Sequence, residues 1–473
     1  MTTKSNIPLV VDLDGTLIKT DCLIESLIAL VKQYPVYIFI FPFWLLYGKA
    51  YLKWKIAEKV DLDIKKLPYN SEFISYLEDQ KLQGRQLVLA TASYYKYAED
   101  VAKNLQLFDS VFATNEKMNL SGQTKRSVLV EQFGEKGFDY AGNSLRDLKV
   151  WNSANAAILV NTSKGVERRV REIATINRVF SNQRGKVISY LRALRIHQWL
   201  KNLLIFVPLL TAHKITDFQY LFHSLLAFLS FSLCASGVYL LNDLLDLQDD
   251  RHHNSKRNRP LASGDMPLAH GLTIIPFLIL AAFGIALLLP YSFLIVLSSY
   301  YALTVTYSLW LKCIALLDVL VLASLYTIRI IAGLLAASIE YSFWLLAFSV
   351  FLFLSLAIVK RYTELAGLKN GLRPKGRDYQ VQDRELLAAL GGASGYLSVL
   401  ILALYINSPE VLKLYSNPKL LWLLCPIMLY WISRVWFIAH RGNMHDDPII
   451  FAIRDKVSLM IAGIMVTVVI LAS

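Results

Sequence analysis

The run Asn242-Asp243-Leu-Leu-Asp246-Leu-Gln-Asp249-Asp250-Arg251 follows directly on an apolar stretch from Tyr220 to Leu241. Carboxylates are costly at membrane depth, so several at the end of such a stretch mark a site more readily than packing. Asp243, Asp246 and Asp250 recur at helical spacing and can line one face. Hard oxygen donors of that kind suit Mg²⁺, which is held through a few carboxylates, retained waters and substrate phosphates. The cations that follow, Arg251, Lys256, Arg257 and Arg259, supply what a phosphate-rich substrate needs beside a metal. A second carboxylate pair stands far upstream, in Val11-Asp12-Leu13-Asp14-Gly15-Thr16-Leu17. There an apolar strand runs into a tight glycine turn. The first carboxylate can attack phosphorus and the second can protonate a leaving oxygen.

The elements that must carry these groups differ between the two halves. The chain is 55% hydrophobic with a mean hydropathy of +0.42, too apolar for a water-soluble protein of 473 residues. Residues 1–195 read as a mixed soluble domain, whereas 196–473 hold repeated apolar runs of membrane-spanning length. About nine spans are expected, near 197–213, 218–241, 271–290, 292–311, 314–336, 342–360, 387–407, 420–438 and 457–472. With the N-terminal domain in the cytosol, the loops at 242–270, 361–386 and 439–456 fall on the same side and carry most of the Lys and Arg. The expectation is a multi-pass protein of the cytoplasmic (inner) membrane whose carboxyl terminus lies outside.

The formal charge of +13 is largely accounted for by these loops. No base-reading motif accompanies it, so nucleic acid is not an expected partner. Cys22, Cys234, Cys313 and Cys425 are scattered without metal-ligand spacing, which argues against a disulfide framework or a zinc site. Met1 to Asn6 is polar and leads into a strand, so no signal peptide is expected.

In the first half, Ile7–Val11, Arg85–Ala90 (ending in Thr91), Phe138–Ala141 (ending in Gly142-Asn143) and Ala156–Val160 read as buried parallel strands separated by apolar helix patterns. The expected fold is a doubly wound α/β domain over 1–160 with a helical cap at about 20–80. Within the cap, Val36–Tyr47 is apolar, interrupted by Pro42, and reads either as an exposed face lying on the bilayer or as the cap's own core. Residues 161–195, rich in arginine, are expected to be a basic juxtamembrane linker.

The α/β part resembles the haloacid-dehalogenase phosphatase superfamily. The resemblance rests on Asp12-Leu-Asp14-Gly-Thr16, on Thr91 at the second strand end, on Lys125 in Ser121-Gly-Gln-Thr-Lys125, and on Gly142-Asn143-Ser-Leu-Arg-Asp147. It implies Asp12 as nucleophile, Asp14 as acid/base, Thr91 and Lys125 as phosphate holders, and Mg²⁺ on Asp12, Asp147 and the Asp14 carbonyl. Asn143 departs from the family's frequent aspartate, which leaves a degenerate, non-catalytic domain as the alternative.

The membrane part, a helical bundle over 196–473, resembles the UbiA superfamily of intramembrane prenyltransferases, and within it the polyprenyl-phosphate phosphoribosyltransferases that serve mycobacterial arabinan synthesis in the cell wall. Carrying that likeness are Gln198-Trp-Leu-Lys201-Asn202, Asn242-Asp243-x-x-Asp246-x-x-x-Asp250, Lys256-Arg257-x-Arg259-Pro260, Tyr307, Asp318, Lys360-Arg361-x-x-Glu364, Asp447-Pro448 and Asp455. Aromatic prenyltransferases usually bear a second acidic motif where this chain has Lys360-Arg361. Cations there suit phosphoribosyl pyrophosphate and a polyprenyl phosphate better than a prenyl diphosphate alone.

The resemblance implies catalytic Asp243 and Asp246 with Asp250 on Mg²⁺. It implies substrate contacts from Lys201, Asn202, Asn242, Lys256, Arg257, Arg259, Tyr307, Lys360, Arg361 and Glu364. The lipid bilayer is the other expected partner. An aromatic prenyltransferase with a regulatory phosphatase domain, and a transporter, remain alternatives.

Overall fold

The computed structural model describes residues 7–181, 186–368, 377–444 and 447–473. It divides into two compact units, Met1–Leu194 with Tyr239–Ile274, and Arg195–Val238 with Ile275–Ser473.

The first unit is built on a six-stranded sheet: β1 (Leu9–Val11), β2 (Leu87–Tyr94), β3 (Ser110–Thr114), β4 (Asp139–Gly142), β5 (Ala156–Val160) and β6 (Thr175–Phe180). Its order is β3-β2-β1-β4-β5-β6, and every pairing is parallel. Side chains alternate across the sheet with a period of two. Leu9 and Val11 therefore enter the core on one face, while Val10 enters the core on the other with Val88 and Tyr140. Helices cover both faces: α1 (Cys22–Gln33), α2 (Phe41–Leu46), α3 (Lys49–Ala57) and α4 (Ser71–Leu82) form the insertion after β1, followed by α5 (Tyr95–Leu105), α6 (Gln123–Phe133), α7 (Leu148–Trp151) and α8 (Lys164–Ile173).

One expectation is corrected here. Residues 161–181 are part of the α/β fold, not of a linker. Val166 and Val170, one turn apart on α8, are buried, and β6 pairs with β5 and buries Phe180 against the cap side. The arginine content misled the reading. Arg178 lies over the rings of Tyr76 and Phe180, so its charge sits on an aromatic face and marks no linker.

The second unit is helical. After α9 (Lys186–Ala193), the chain contains α10 (Val207–Thr211), α11 (Phe218–Leu245), α12 (Leu247–His252), α13 (Leu268–Ala286), α14 (Tyr291–Leu309), α15 (Leu317–Ala336), α16 (Phe343–Ala366), α17 (Arg384–Ile406), α18 (Pro409–Leu414), α19 (Leu424–His440), α20 (Pro448–Arg454) and α21 (Lys456–Ala472). The boundary between units runs through α11 and α13.

Among the described residues, seven helical segments are long and apolar enough to cross a membrane, and the bent pair α20 and α21 makes up to eight. The first expected span, 197–213, takes a different form: a 3-10 segment at Ile196–Phe206 and then the short α10. Pro208 opens α10, where a proline cannot continue a preceding hydrogen-bond ladder. The 3-10 segment lies close against α15. A Cβ added at Gly333 would stand 2.1 Å from the backbone oxygen of Ile205.

Candidate functional sites

At the carboxyl ends of β1, β2 and β4 the first unit gathers the residues expected to handle phosphate. Gly15, at φ +75°, lets the chain turn back, so that its N–H donates to the carbonyl of Thr20. The same glycine gives room for a neighbour: a Cβ there would stand 1.9 Å from Asn143 Nδ2. Asp12 is buried and accepts from Lys125 Nζ at 2.7 Å, while Lys125 also donates to the Tyr140 hydroxyl at 3.0 Å. Tyr140 in turn donates to Asp147 Oδ1 at 2.8 Å. The other Asp147 oxygen accepts from the Ser144 N–H and hydroxyl, both at 2.9 Å. Asp14 accepts from the N–H of Cys22 at 2.8 Å and from Ser93 Oγ at 2.6 Å. Thr91 is fully buried, and its hydroxyl accepts from the Ser93 N–H at 2.9 Å.

Burial pushes the Asp12 carboxyl up to about 7; Lys125 opposes this, while Asp147 and Asp14 add to it. Burial also works against the Lys125 ammonium, but Asp12 and Asp147 outweigh it and raise its pKa. Three carboxylates thus share the field of two ammonium groups, Lys125 and, acting on Asp14, Lys53. That negative excess, with two carboxylates and the Asp14 carbonyl available, fits a small divalent cation that retains water. Among the described residues, no group of three or more His, Cys, Asp or Glu side chains is placed to hold a metal ion by itself.

Sequence reasoning missed Lys53 of α3. It is buried and donates to the carbonyl of Ala92 at 2.6 Å and to Asn119 Oδ1 at 2.7 Å. Burial lowers its pKa, against the pull of Asp14 and Asp21. A cap element thereby reaches the loop that follows Thr91. No spacing in the sequence announces it.

The acidic segment is also part of the first unit. The helix breaks at Asp246, the residue between α11 and α12, although the Asp246 N–H still donates to the Asn242 carbonyl and the Asp250 N–H to the Asp246 carbonyl, both at 2.8 Å. Arg259 Nη1 sits between Asp243 (3.0 Å) and Asp250 (2.6 Å). Burial raises the Asp250 pKa and Arg259 opposes it. Asp246 is turned to Lys32 at 3.5 Å, and Asp249 meets the same lysine at 2.6 Å. Asn242 is half-buried, and Lys256 and Arg257 are exposed.

The next residue, Arg251, is anchored more firmly than any of these. Its guanidinium grips both oxygens of Glu25 on α1, one of them at 2.9 Å, and its Nε donates to the carbonyl of Ala262 at 3.0 Å. Thr20 Oγ1 donates to the same carboxylate at 2.7 Å. Both Glu25 and Arg251 are buried.

In the second unit, two clusters contain the expected phosphate-binding cations. Lys201 and Lys360 both donate to one oxygen of Asp447, at 2.8 and 3.0 Å, and the Tyr326 hydroxyl donates to Asp447 at 3.2 Å. Two ammonium groups therefore share one carboxylate oxygen. Arg361 belongs to a different arrangement. It pairs with Asp318 and Glu364 and donates to the Tyr307 hydroxyl at 3.1 Å. Arg377 donates to Asp318 at 3.1 Å, so two arginines face two acids. Asn202 donates to Ser232 at 3.0 Å and accepts from Arg329 Nε at 2.7 Å. Arg329 was missed by the sequence reading; a lone arginine inside an apolar span is itself the signal that finds it. Asp455 caps α21 and pairs with Arg434 at 2.7 Å, away from both clusters' partners. Lys369, Arg373 and Lys375, beside the Lys360 motif, lie outside the described residues.

An integral membrane helical bundle with a parallel-sheet α/β unit in the same chain is thus the class that the fold defines. The family model "UbiA prenyltransferase family" matches residues 203–457, and the chain belongs to that family. Uncharacterized protein y4nM of Sinorhizobium fredii is 36% identical over 471 residues, covering 98% of this chain and 91% of that one. Nodulation protein NoeC of Azorhizobium caulinodans is 37% identical over 275 residues, 58% of this chain and 89% of that one. Decaprenyl-phosphate phosphoribosyltransferase of Mycolicibacterium smegmatis is 37% identical over 183 residues, 38% of this chain and 58% of that one. Among solved structures, a UbiA homolog from Archaeoglobus fulgidus bound to GPP and Mg²⁺ aligns over 59% of this chain and 99% of that one, with a TM-score of 0.46 and 19% identity.

Proposed function

We propose that the membrane part transfers 5-phosphoribose from phosphoribosyl pyrophosphate to a polyprenyl phosphate, and that the α/β part removes the 5-phosphate of the product at the cytosolic face of the cytoplasmic membrane. The observation that carries the first half is the pairing of cations. Arg361 and Arg377 are neutralised by Asp318 and Glu364, whereas Lys201 and Lys360 share Asp447 and retain an unbalanced positive charge. An excess of positive charge held away from bulk water favours a phosphate group. We assign Lys201 and Lys360 to the phosphates and Arg361 to holding α16 and its neighbours in place. The likeness to a decaprenyl-phosphate phosphoribosyltransferase supports the same substrates.

In the transfer, the bond from the ribose anomeric carbon to pyrophosphate breaks with its electron pair leaving on oxygen. A lipid-phosphate oxygen forms the new bond to that carbon. Asp243 and Asp250 converge on one cationic group, Arg259, and are the residues that would hold Mg²⁺, whereas Asp246 is turned to Lys32. The ion would supply Lewis-acid stabilisation of the departing pyrophosphate. Arg259, Lys256 and Arg257 would then meet the phosphates.

In the hydrolysis, the Asp12 oxygen not engaged by Lys125 attacks phosphorus and Asp14 gives its proton to the departing ribose oxygen. Water then splits the aspartyl phosphate, with Asp14 taking the proton back. Thr91 and Lys125 hold the phosphoryl oxygens. Asp12, Asp147 and the Asp14 carbonyl would hold that site's Mg²⁺.

The test uses the full chain in vesicles with labelled phosphoribosyl pyrophosphate and polyprenyl phosphate, read by lipid mass spectrometry. The expected products are lipid-linked ribose from the native chain and its 5-phosphate from Asp12→Asn. Incorporation only from a prenyl diphosphate and an aromatic acceptor would overturn the transfer. Unchanged dephosphorylation in Asp12→Asn would overturn the sequence of steps.

A further inference from the structure

The segment from Tyr34 to Tyr47 is apolar on both sides, and the fold accounts for only one of them. Tyr37, Phe41 and Trp44 recur at helical spacing and pack against the cap core. Around them Val36, Phe39, Leu46 and Tyr47 are 68%, 75%, 83% and 76% exposed, and Ile38, Phe43 and Leu45 are exposed as well. So many neighbouring large apolar side chains on the surface mark an interaction face. The segment is too short to cross a bilayer and is divided by Pro35 and Pro42 into a 3-10 turn and α2.

Its surroundings select the occupant. Lys49 and Lys59 flank it, Lys32 and Lys55 stand beside it in ion pairs with Asp246, Asp249 and Glu58, and Glu58 is the only acid between residues 26 and 60. A lysine-rimmed apolar patch repels its own copy and matches anionic headgroups over acyl chains. The chain is an integral membrane protein, so such a surface is always at hand.

We propose that the Tyr34–Tyr47 face inserts into the headgroup region of the bilayer and makes the phosphatase interfacial. Its substrate is then a phosphomonoester anchored at the membrane surface, not a soluble one. This rests on the reading of the α/β unit as a phosphatase. The cap ties face and site together: α3 opens two residues after Tyr47, Lys49 to Lys53 is about 6 Å of helix, and Lys53 donates to Ala92 and Asn119 beside the Thr91 loop.

The experiment uses the full chain with Cys313→Ser, since the other three cysteines are buried. A bimane label is placed at Leu46→Cys, or at Leu82→Cys as the control, 86% exposed on α4. In vesicles containing phosphatidylglycerol, nitroxide lipids are expected to quench position 46 at least fivefold more than position 82, and iodide the reverse. Equal iodide quenching at the two positions would overturn the proposal. So would self-quenching of label 46 that depends on protein density, which marks an interface between copies.

A second measurement reads function. Val36→Ser/Phe39→Ser/Leu46→Ser is expected to cut hydrolysis of a vesicle-borne lipid phosphomonoester by tenfold or more while sparing p-nitrophenyl phosphate. An equal loss on both substrates, or none on either, would overturn the interfacial role. If the native chain hydrolyses neither ester, the phosphatase reading fails, while the quenching still reports on the insertion.

Discussion

Replacing Arg251 with methionine is the sharpest perturbation of the first unit that the structure offers. It leaves Glu25 buried with Thr20 as its remaining side-chain donor and frees the Ala262 carbonyl that Arg251 Nε had bonded. Removing one partner of a buried ion pair costs about 3–5 kcal/mol, because the surviving charge has neither water nor a counter-ion. A freed buried acceptor adds roughly 1 kcal/mol. Global unfolding of a two-unit membrane protein is a poor measure of this loss, but local opening is well defined. Hydrogen–deuterium exchange of the full chain, followed in peptides covering 22–33 and 247–266, should accelerate by about three to four powers of ten in Arg251→Met. Glu25→Gln keeps one acceptor for Arg251 but turns the other into an N–H donor facing the guanidinium, so it should also accelerate exchange. In the double variant Glu25→Leu/Arg251→Met the two effects should fall well short of adding, since neither charge is left stranded. Acceleration below about fivefold, close to 1 kcal/mol, would refute the reasoning and mean that the pair is solvated in solution. Asp250 adjoins Arg251, and Cys22, on the same helix as Glu25, donates its N–H to Asp14, so both proposed activities should decline with the protection.

Lys201→Ala should leave Asp447 paired with Lys360 and remove one charge-assisted contact to phosphate, worth about 1.5–3 kcal/mol. The expected result is a rise of ten-fold to a hundred-fold or so in KM for the lipid acceptor, measured in vesicles, with phosphatase turnover unchanged. Gly15→Ala places a Cβ 1.9 Å from Asn143 Nδ2 at a φ of +75°, a backbone conformation costing about 1–2 kcal/mol for any other residue. Hydrolysis of a generic phosphate ester should be lost while lipid phosphoribose still forms, accumulating as the 5-phosphate. Gly333→Ala drives a Cβ into the Ile205 carbonyl and should destabilise the bundle by about 1–3 kcal/mol. Gly463→Ala, which meets nothing within 4 Å, is the control for the lowered detergent melting temperature.

What could be read in advance divides by the distance over which a residue's partner lies along the chain. Asp12, Gly15, Thr91 and the Gly142–Asp147 turn each depend on a strand and the loop that follows it, so a few adjacent residues carry the pattern and the parallel sheet brings them together. The helical spacing of Asp243 and Asp250 survives in the same way, even with the break at Asp246. Charge, by contrast, cannot be read by counting. Arginine content made 161–181 look like a linker, because nothing local reveals that Arg178 lies over two rings. Lys360 and Arg361 are neighbours in one motif, yet Lys360 shares a carboxylate with Lys201 while Arg361 is balanced by Asp318 and Glu364. The partners stand 246 residues apart for Lys201 with Asp447 and 226 for Arg251 with Glu25. At such separations only the folded chain decides which cations are balanced by acids and which are left with excess charge. The same principle explains why Lys32 matters: a residue at the end of α1 meets Asp246 and Asp249, so the acidic motif borrows a counter-charge from a domain whose motifs give no hint of it.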